Sequence, residues 1–401
     1  MINTQLNPWR GRIVLLTLVH VVGTIGYTSV MTMAPVIRAD LDLNATQVGS
    51  FMSAFYLALI LGAIPAGVLA DRLGVALSLT LASFLMAAGA VLFAAISSYV
   101  PAVLATFTMG LGYALVNPAT AKGVLNWFKP KHRATAMGIK QMGVPIGGLV
   151  AAGFGAMVVF MPWRVALWIA ATASVVIGLI WWRLIQRRTI GGGELRATLR
   201  ELKSVMTDGN LMKLNLASIS FNAGQQSFIT YLTLFLRDVA GASQPFAALC
   251  VGFSQITGAA GRVFWAFFSD RLADGRRKGV VVGIMTTAAA LVFVFTAASP
   301  SWHLAVLAIL ALALGGTMLA YAALLHTICA EALKQSLAGA AIGSNLFATS
   351  LGGMFGPIIF GLIVDNAGGY RVAWTATGFL VLAGAMLVAF GFKEDKSASE
   401  S

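Results

Sequence analysis

Acidic side chains are scarce in this chain: 14 Asp and Glu among 401 residues, against 27 Lys and Arg. All fourteen fall in polar segments, tails or the ends of apolar runs, so no carboxylate lies in the middle of an apolar stretch. That absence removes the group an organic-cation site or a buried carboxylate proton carrier would need. Charge of either sign is thin, 10% overall, far below what the surface of a soluble chain this long carries. Two cysteines, Cys250 and Cys329, match no metal spacing and read as small buried residues. Neither a metal nor a cofactor is expected. There is no Ser/His/Asp spacing and no Walker-type phosphate loop, so the sequence indicates neither an enzyme nor an ATP-driven machine. Strand-type alternation is also missing, which argues against a lipid-facing barrel.

What the chain has instead is apolar length. Hydrophobic residues make up 58% of it, and runs near the roughly 20 residues needed to cross a bilayer as a helix recur throughout. Twelve spans are expected, at approximately 13–37, 46–70, 76–97, 101–127, 134–160, 164–185, 212–236, 246–269, 279–298, 302–326, 337–363 and 371–392. The fold class is therefore an all-α multi-pass membrane protein. The first span is too long for a signal h-region and reads as retained. With the N-terminus inside, twenty Lys and Arg fall on the cytoplasmic side and four outside (Arg38, Arg164, Arg237, Arg371). That bias sets both termini in the cytoplasm of a bacterial-type inner membrane and explains the net charge of +13 without nucleic acid.

The one long polar interruption, "QRRTIGGGELRATLRELKSVMTDGN", divides the chain into residues 1–185, a linker 186–210, and 211–401. Leu195, Leu199, Leu202 and Met206 recur at helical spacing among Arg196, Arg200 and Lys203. The linker reads either as an amphipathic helix on the membrane surface or as a solvated tether. The halves echo each other. "AMGIK" (136–140) matches "AIGSN" (341–345), and Gly147-Gly148 falls on Gly352-Gly353 at the same offset. "GVLADRLG" (67–74) likewise answers "AFFSDRLAD" (266–274).

With Gly67-x-x-x-Asp71-Arg72-x-Gly74 and its second copy Asp270-Arg271, the chain resembles the major facilitator superfamily over essentially its whole length. The resemblance implies two pseudosymmetric six-helix bundles around a central cavity, working by alternating access and expected to act as a monomer in the bilayer. Two positions depart from the family pattern: Val75-Ala76 replace a basic pair, and Thr106 stands where proton-coupled members often carry arginine.

Two basic residues lie deep in the spans. Lys140 is seven residues past Arg133, about 10 Å deep, and Arg262 is eight before Asp270, about 12 Å deep. The resemblance places span five beside span eight, so both would face one cavity from opposite halves. Two cations with no acid to neutralise them favour an anion between them. Arginine offers a fork suited to carboxylate, and lysine a point charge. The expected function is secondary transport of a small organic anion, with a counter-anion or a coupling proton. The arrangement is similar to monocarboxylate and oxalate–formate transporters, although their span-eleven lysine has no equivalent here. Nitrate porters pair Arg262's equivalent with a span-two arginine, which is missing. A drug-exporter reading rests on Gly143-x-Pro145-x-Gly147-Gly148, a displaced form of the antiporter motif. A non-transporting sensor on the same fold is a third class.

Tyr27, Asn117, Asn222, Gln225, Gln226, Tyr321 and Asn345 could complete the substrate site, or serve only as interhelical hydrogen bonds. His20 could carry a proton or be a packed core group. Asp71, Arg72, Arg133, Asp270 and Arg271 are expected at the inner gate. Pro65, Pro118, Pro145 and Pro357 mark expected kinks.

Overall fold

The computed structural model describes residues 11–185, 205, 207–271, 277–332 and 337–394. Among these, every regular element is a helix, as lipid demands of a backbone that no water can satisfy. The first half contains α1 (Ile13–Thr32), α2 (Ala34–Asp40), α3 (Ala45–Ala95), α4 (Tyr99–Trp127), α5 (Pro130–Gln141), α6 (Gly143–Met157) and α7 (Trp163–Arg183). The second contains α8 (Gly209–Asp238), α9 (Gln244–Arg271), α10 (Arg277–Thr296), α11 (Leu304–Met318), α12 (Ala322–Glu331), α13 (Ala338–Asn366) and α14 (Gly369–Met386). Eight helical stretches among the described residues are long and apolar enough to cross a membrane. Two passes along α3, together with α5–α6, α8 and α9, complete the twelve. The amphipathic helix considered for 186–210 lies almost wholly outside the described residues.

Asp71 and Arg72, expected in a loop, stand on helix. Within the 51 residues of α3 only Gly74 leaves the helical region, at φ 77° and ψ 174°. That φ is strained for any residue with a Cβ, which accounts for glycine at this turn. Span five is broken at Met142, between α5 and α6. Pro145 has no N–H for the Gln141 carbonyl and its ring crowds that oxygen, so the helix ends just before it. Met142 N–H is shared between the Gly138 and Ile139 carbonyls at the end of α5. The kinks expected at Pro65, Pro118 and Pro357 are not breaks: those prolines sit inside continuous helices. Span ten breaks without a proline, at Leu319–Tyr321.

The halves meet along two seams, α6 on α9 and α3 on α13. The sequence repeat reappears there as geometry. A Cβ on Gly148 would stand 2.6 Å from Cδ of Gln255, and one on Gly353 would stand 2.6 Å from Cε1 of Tyr56. Gly148 and Gly353 are 205 residues apart, while Tyr56 and Gln255 are 199 apart, the same offset as Asp71 and Asp270. Each seam thus seats one side chain over a bare glycine of the opposite half.

Hydrogen bonds between the halves gather at one end. Arg38 pairs with Asp238 at 2.6 Å, and the Asp365 carboxylate accepts from the amides of Ala45 (3.0 Å) and Thr46 (2.7 Å). Tyr231 donates to the Ala45 carbonyl at 2.7 Å, and Gln244 donates to those of Thr32 and Gly155, each at 3.0 Å. At the opposite end, among the described residues, charges pair only within their own half: Asp71 with Lys122 at 2.9 Å and Asp270 with Arg277 at 3.3 Å. Among the described residues, ion pairing between the halves lies at the Arg38 end.

Candidate substrate site

Arg262 and Lys140 are both held in the interior, each by neutral partners. Arg262 is half-buried on α9 and its Nε donates to the Leu319 carbonyl at 3.0 Å, at the break in span ten. One turn along, Trp265 Nε1 donates to the Gly316 carbonyl at 2.8 Å. The interrupted span ten is therefore strapped to α9 by two side chains, and the remaining guanidinium N–H groups are left over for another acceptor. The Arg262 charge acts on Tyr27 and Tyr113 of the first half, and on Tyr321 and His326 of the second. Its surroundings are aromatic and span both halves.

Tyr27 is half-buried, with its ring 4.2 Å from Phe55 and 5.8 Å from Tyr113. Tyr321 is buried at the start of α12, edge-on to Phe221 at 5.3 Å. Tyr56, over Gly353, lies beside Asn222. Asn222 and Gln226 are buried and joined at 3.3 Å, with Asn222 also donating to the Thr349 carbonyl at 2.6 Å, while Gln225 is half-buried. Asn117 is exposed on the face of α4 that carries Tyr113 and Thr120. Gln255, which sequence reasoning passed over, precedes Arg262 by two turns on the same face of α9. Its spacing of seven from an arginine inside an apolar span is the signal that could have found it.

Lys140 is only 3% exposed, and its Nζ donates to Thr120 Oγ1 at 3.0 Å. The same hydroxyl lies 3.2 Å from His20 Nε2, and His20 is fully buried. Sequence alone could not single out Thr120, because a threonine in an apolar helix ordinarily bonds back to its own turn. Lys140 and Arg262 thus have separate partners in this state, Lys140 turned into the first half and Arg262 toward the Tyr27–Tyr113 side. No carboxylate among the described residues pairs with either one.

Asn345, expected either at the site or in interhelical bonding, bonds between helices here. It is fully buried, and its Nδ2 donates to Asn215 Oδ1 (3.1 Å) and Ser218 Oγ (2.7 Å), while Asn215 donates to Ser344 Oγ at 2.7 Å. These bonds tie α13 to α8 inside the second half. Of the expected gate residues, Asp71, Asp270 and Arg133 have partners within their own half. Arg133 donates to the Leu125 and Phe128 carbonyls at the end of α4. Arg271 lies over the Phe267 ring at 5.6 Å, and Arg72 is exposed.

Comparison with known proteins agrees with this architecture. A family model described as the Major Facilitator Superfamily matches residues 16–351 and 272–401. The chain is 25% identical over 384 residues to a probable L-galactonate transporter of Escherichia coli K12, covering 88% of this chain and 83% of that one. It is 24% identical over 403 residues to a hexuronate transporter of Bacillus subtilis 168, covering 94% and 93%. Among solved structures it superposes with a TM-score of 0.80 on a bacterial homologue of the human lysosomal transporter Spinster, in an inward-facing and unoccupied conformation. There the identity is 19%, and coverage is 94% of this chain and 95% of that one.

Proposed function

The chain belongs to the Major Facilitator Superfamily, and on that premise we propose that it moves a small organic anion, a carboxylate, across the membrane by alternating access. One observation carries this reading. Two cations, Lys140 and Arg262, are held in the interior on a hydroxyl and a backbone carbonyl, and every described carboxylate lies at a helix end or at the Gly74 turn. An interior cation without a counter-ion is costly, and a carboxylate brought in as substrate removes that cost. The names of the relatives, galactonate and hexuronate transporters, supply the same chemical class, a carboxylate on a polyhydroxy chain. Tyr27, Tyr56, Asn117, Asn222, Gln225 and Gln255 offer hydroxyl, amide and ring partners for such a chain, and Arg262 offers the fork for its carboxylate.

Residues 1–185 and 211–401 act in this reading as the two rocking bodies, with 186–210 as the tether. The lysine and arginine bias supports a cytoplasmic Asp71 end in a bacterial-type inner membrane, and in this reading the described state is open inward and latched outside. Asp71, Lys122, Asp270 and Arg277 then lie at the inner gate, ready to exchange partners when it shuts.

A thermal-shift panel on purified protein tests the reading, since a ligand that binds only the folded state raises its apparent stability. Glucuronate, galactonate, simple mono- and dicarboxylates, nitrate and cationic dyes make up the panel. Stabilisation by the organic carboxylates is expected; stabilisation by the dyes alone would overturn the assignment.

A further inference from the structure

We infer that His20, Thr120 and Lys140 form a proton-coupling site in which the bare Nδ1 of His20 accepts a proton when an anion engages Lys140. The inference rests on the anion reading above and adds to it the ion that accompanies the substrate.

The argument begins with the hydrogen of one hydroxyl. Thr120 Oγ1 lies 2.7 Å from the Val116 carbonyl and 3.2 Å from the His20 ring, so its single hydrogen goes to its own helix. An ammonium can only donate, so toward Lys140 the oxygen accepts. Its second lone pair then faces His20 Nε2, and the ring hydrogen is assigned to that nitrogen. The neutral ring is thereby left with an unprotonated Nδ1, and that atom is buried with no hydrogen-bond partner among the described residues. A buried ring nitrogen without a partner is uncommon, and a proton is the one ligand that needs no extra room there.

The neighbours of His20 hold no acid. From α4 come Thr120 and the edge of Tyr113, whose ring centroid is 6.3 Å away. From the α5–α6 joint come Lys140, which acts on the ring electrostatically, and Gly143, packed on the His20 Cβ. Arg262 in turn acts on Tyr113. Protonating Nδ1 would therefore set two cations on one hydroxyl oxygen. Like charges about 6 Å apart in a medium of effective dielectric about 20 change an equilibrium by roughly a hundredfold. A carboxylate beside Lys140 offsets most of that repulsion, so anion and proton each favour the other by the same factor. Both would cross together, as symport.

The test measures proton uptake in weakly buffered detergent solution with a pH-sensitive dye as glucuronate is added to the purified chain. Proton uptake on glucuronate binding, rising as the pH is lowered from neutral, is expected from the wild type. His20→Gln keeps an N–H for Thr120 and offers no titrating nitrogen. It should lose proton uptake and pH-gradient-driven accumulation in proteoliposomes while retaining slower glucuronate exchange. Thr120→Val, which keeps the shape and deletes the shared oxygen, should reduce the proton-to-anion ratio, and its thermal unfolding reports whether it is folded. Glucuronate binding with no proton uptake, or undiminished uptake in His20→Gln, overturns the coupling and leaves the anion reading standing. Absence of binding by glucuronate and the other organic acids overturns both.

Discussion

Asp365 caps Thr46 across the line between the halves. The carboxylate at the end of α13 accepts from the Thr46 amide at 2.7 Å and its hydroxyl at 2.6 Å, and from the Ala45 amide at 3.0 Å. The first amides of α3 have no partners within their own helix, and the positive end of that helix dipole favours an anion. Asn44 caps the amide of Gln47 from within the chain, so Asp365 serves donors that Asn44 does not reach. These bonds exist only while this end is shut. Replacing an Asp cap by alanine costs about 0.5–2 kcal/mol, a change of roughly 2- to 30-fold in a two-state ratio. Asp365→Ala should therefore enrich the state open at this end by that factor. Spin labels at the exposed positions Asp42 and Asn366 would show a larger population at longer distance. An unchanged distribution would mean that the cap does not help set the equilibrium.

Arg38 and Asp238 are the more obvious latch and should prove the weaker one. Their side chains remain 33% and 38% exposed, so water and salt screen the 2.6 Å contact. Exposed pairs contribute about 0–1 kcal/mol. A double-mutant cycle on Arg38→Gln and Asp238→Asn, read by thermal unfolding, should give a coupling below about 1 kcal/mol that shrinks in high salt. A coupling of several kcal/mol, insensitive to salt, would reverse the ranking.

The paired glycines at the seams predict an asymmetry that their symmetry conceals. At Gly148 an added methyl meets the far end of Gln255, a flexible side chain that can swing away. At Gly353 it meets the face of the Tyr56 ring, with three ring atoms within 2.7 Å. Overpacking against a side chain that cannot yield costs about 1–3 kcal/mol. Gly353→Ala should lower the unfolding temperature clearly, and Gly148→Ala by much less. Equal losses would show that the Gln255 side is as rigid as the Tyr56 side.

The twelve spans and the two halves were legible because apolar length and repeated glycines follow directly from bilayer thickness and helix packing. The break at Met142 was half legible, since Pro145 announces a lost hydrogen bond but not on which residue the helix ends. The break at Leu319–Tyr321 carried no proline and could not be read in advance. Among the site residues, Lys140 and Arg262 stood out because a charge in an apolar run is expensive wherever it points. Asn345 was left open between two roles and Thr120 was not singled out, because an amide or a hydroxyl is cheap in either role. Only the helix rotation shows that Asn345 faces Asn215 and Ser218 while Thr120 faces Lys140 and His20.

Arg262 gives the sharpest test of substrate recognition. Its Nε is committed to the Leu319 carbonyl, which orients the guanidinium and leaves the two terminal nitrogens for a bidentate carboxylate. Lysine at this position would preserve the charge but lose both the hold on span ten and the fork. Glutamine would lose the charge as well. Truncating one member of a buried charged pair costs about 2–5 kcal/mol, so Arg262→Gln should weaken glucuronate binding by about 30-fold or more. Arg262→Lys should fall between this and the wild type, with affinity more dependent on salt because a lysine head is more hydrated. Calorimetric titration of the three proteins at two salt concentrations measures both effects. Wild-type affinity in Arg262→Gln would remove this residue from the site and leave Lys140 as its only charge.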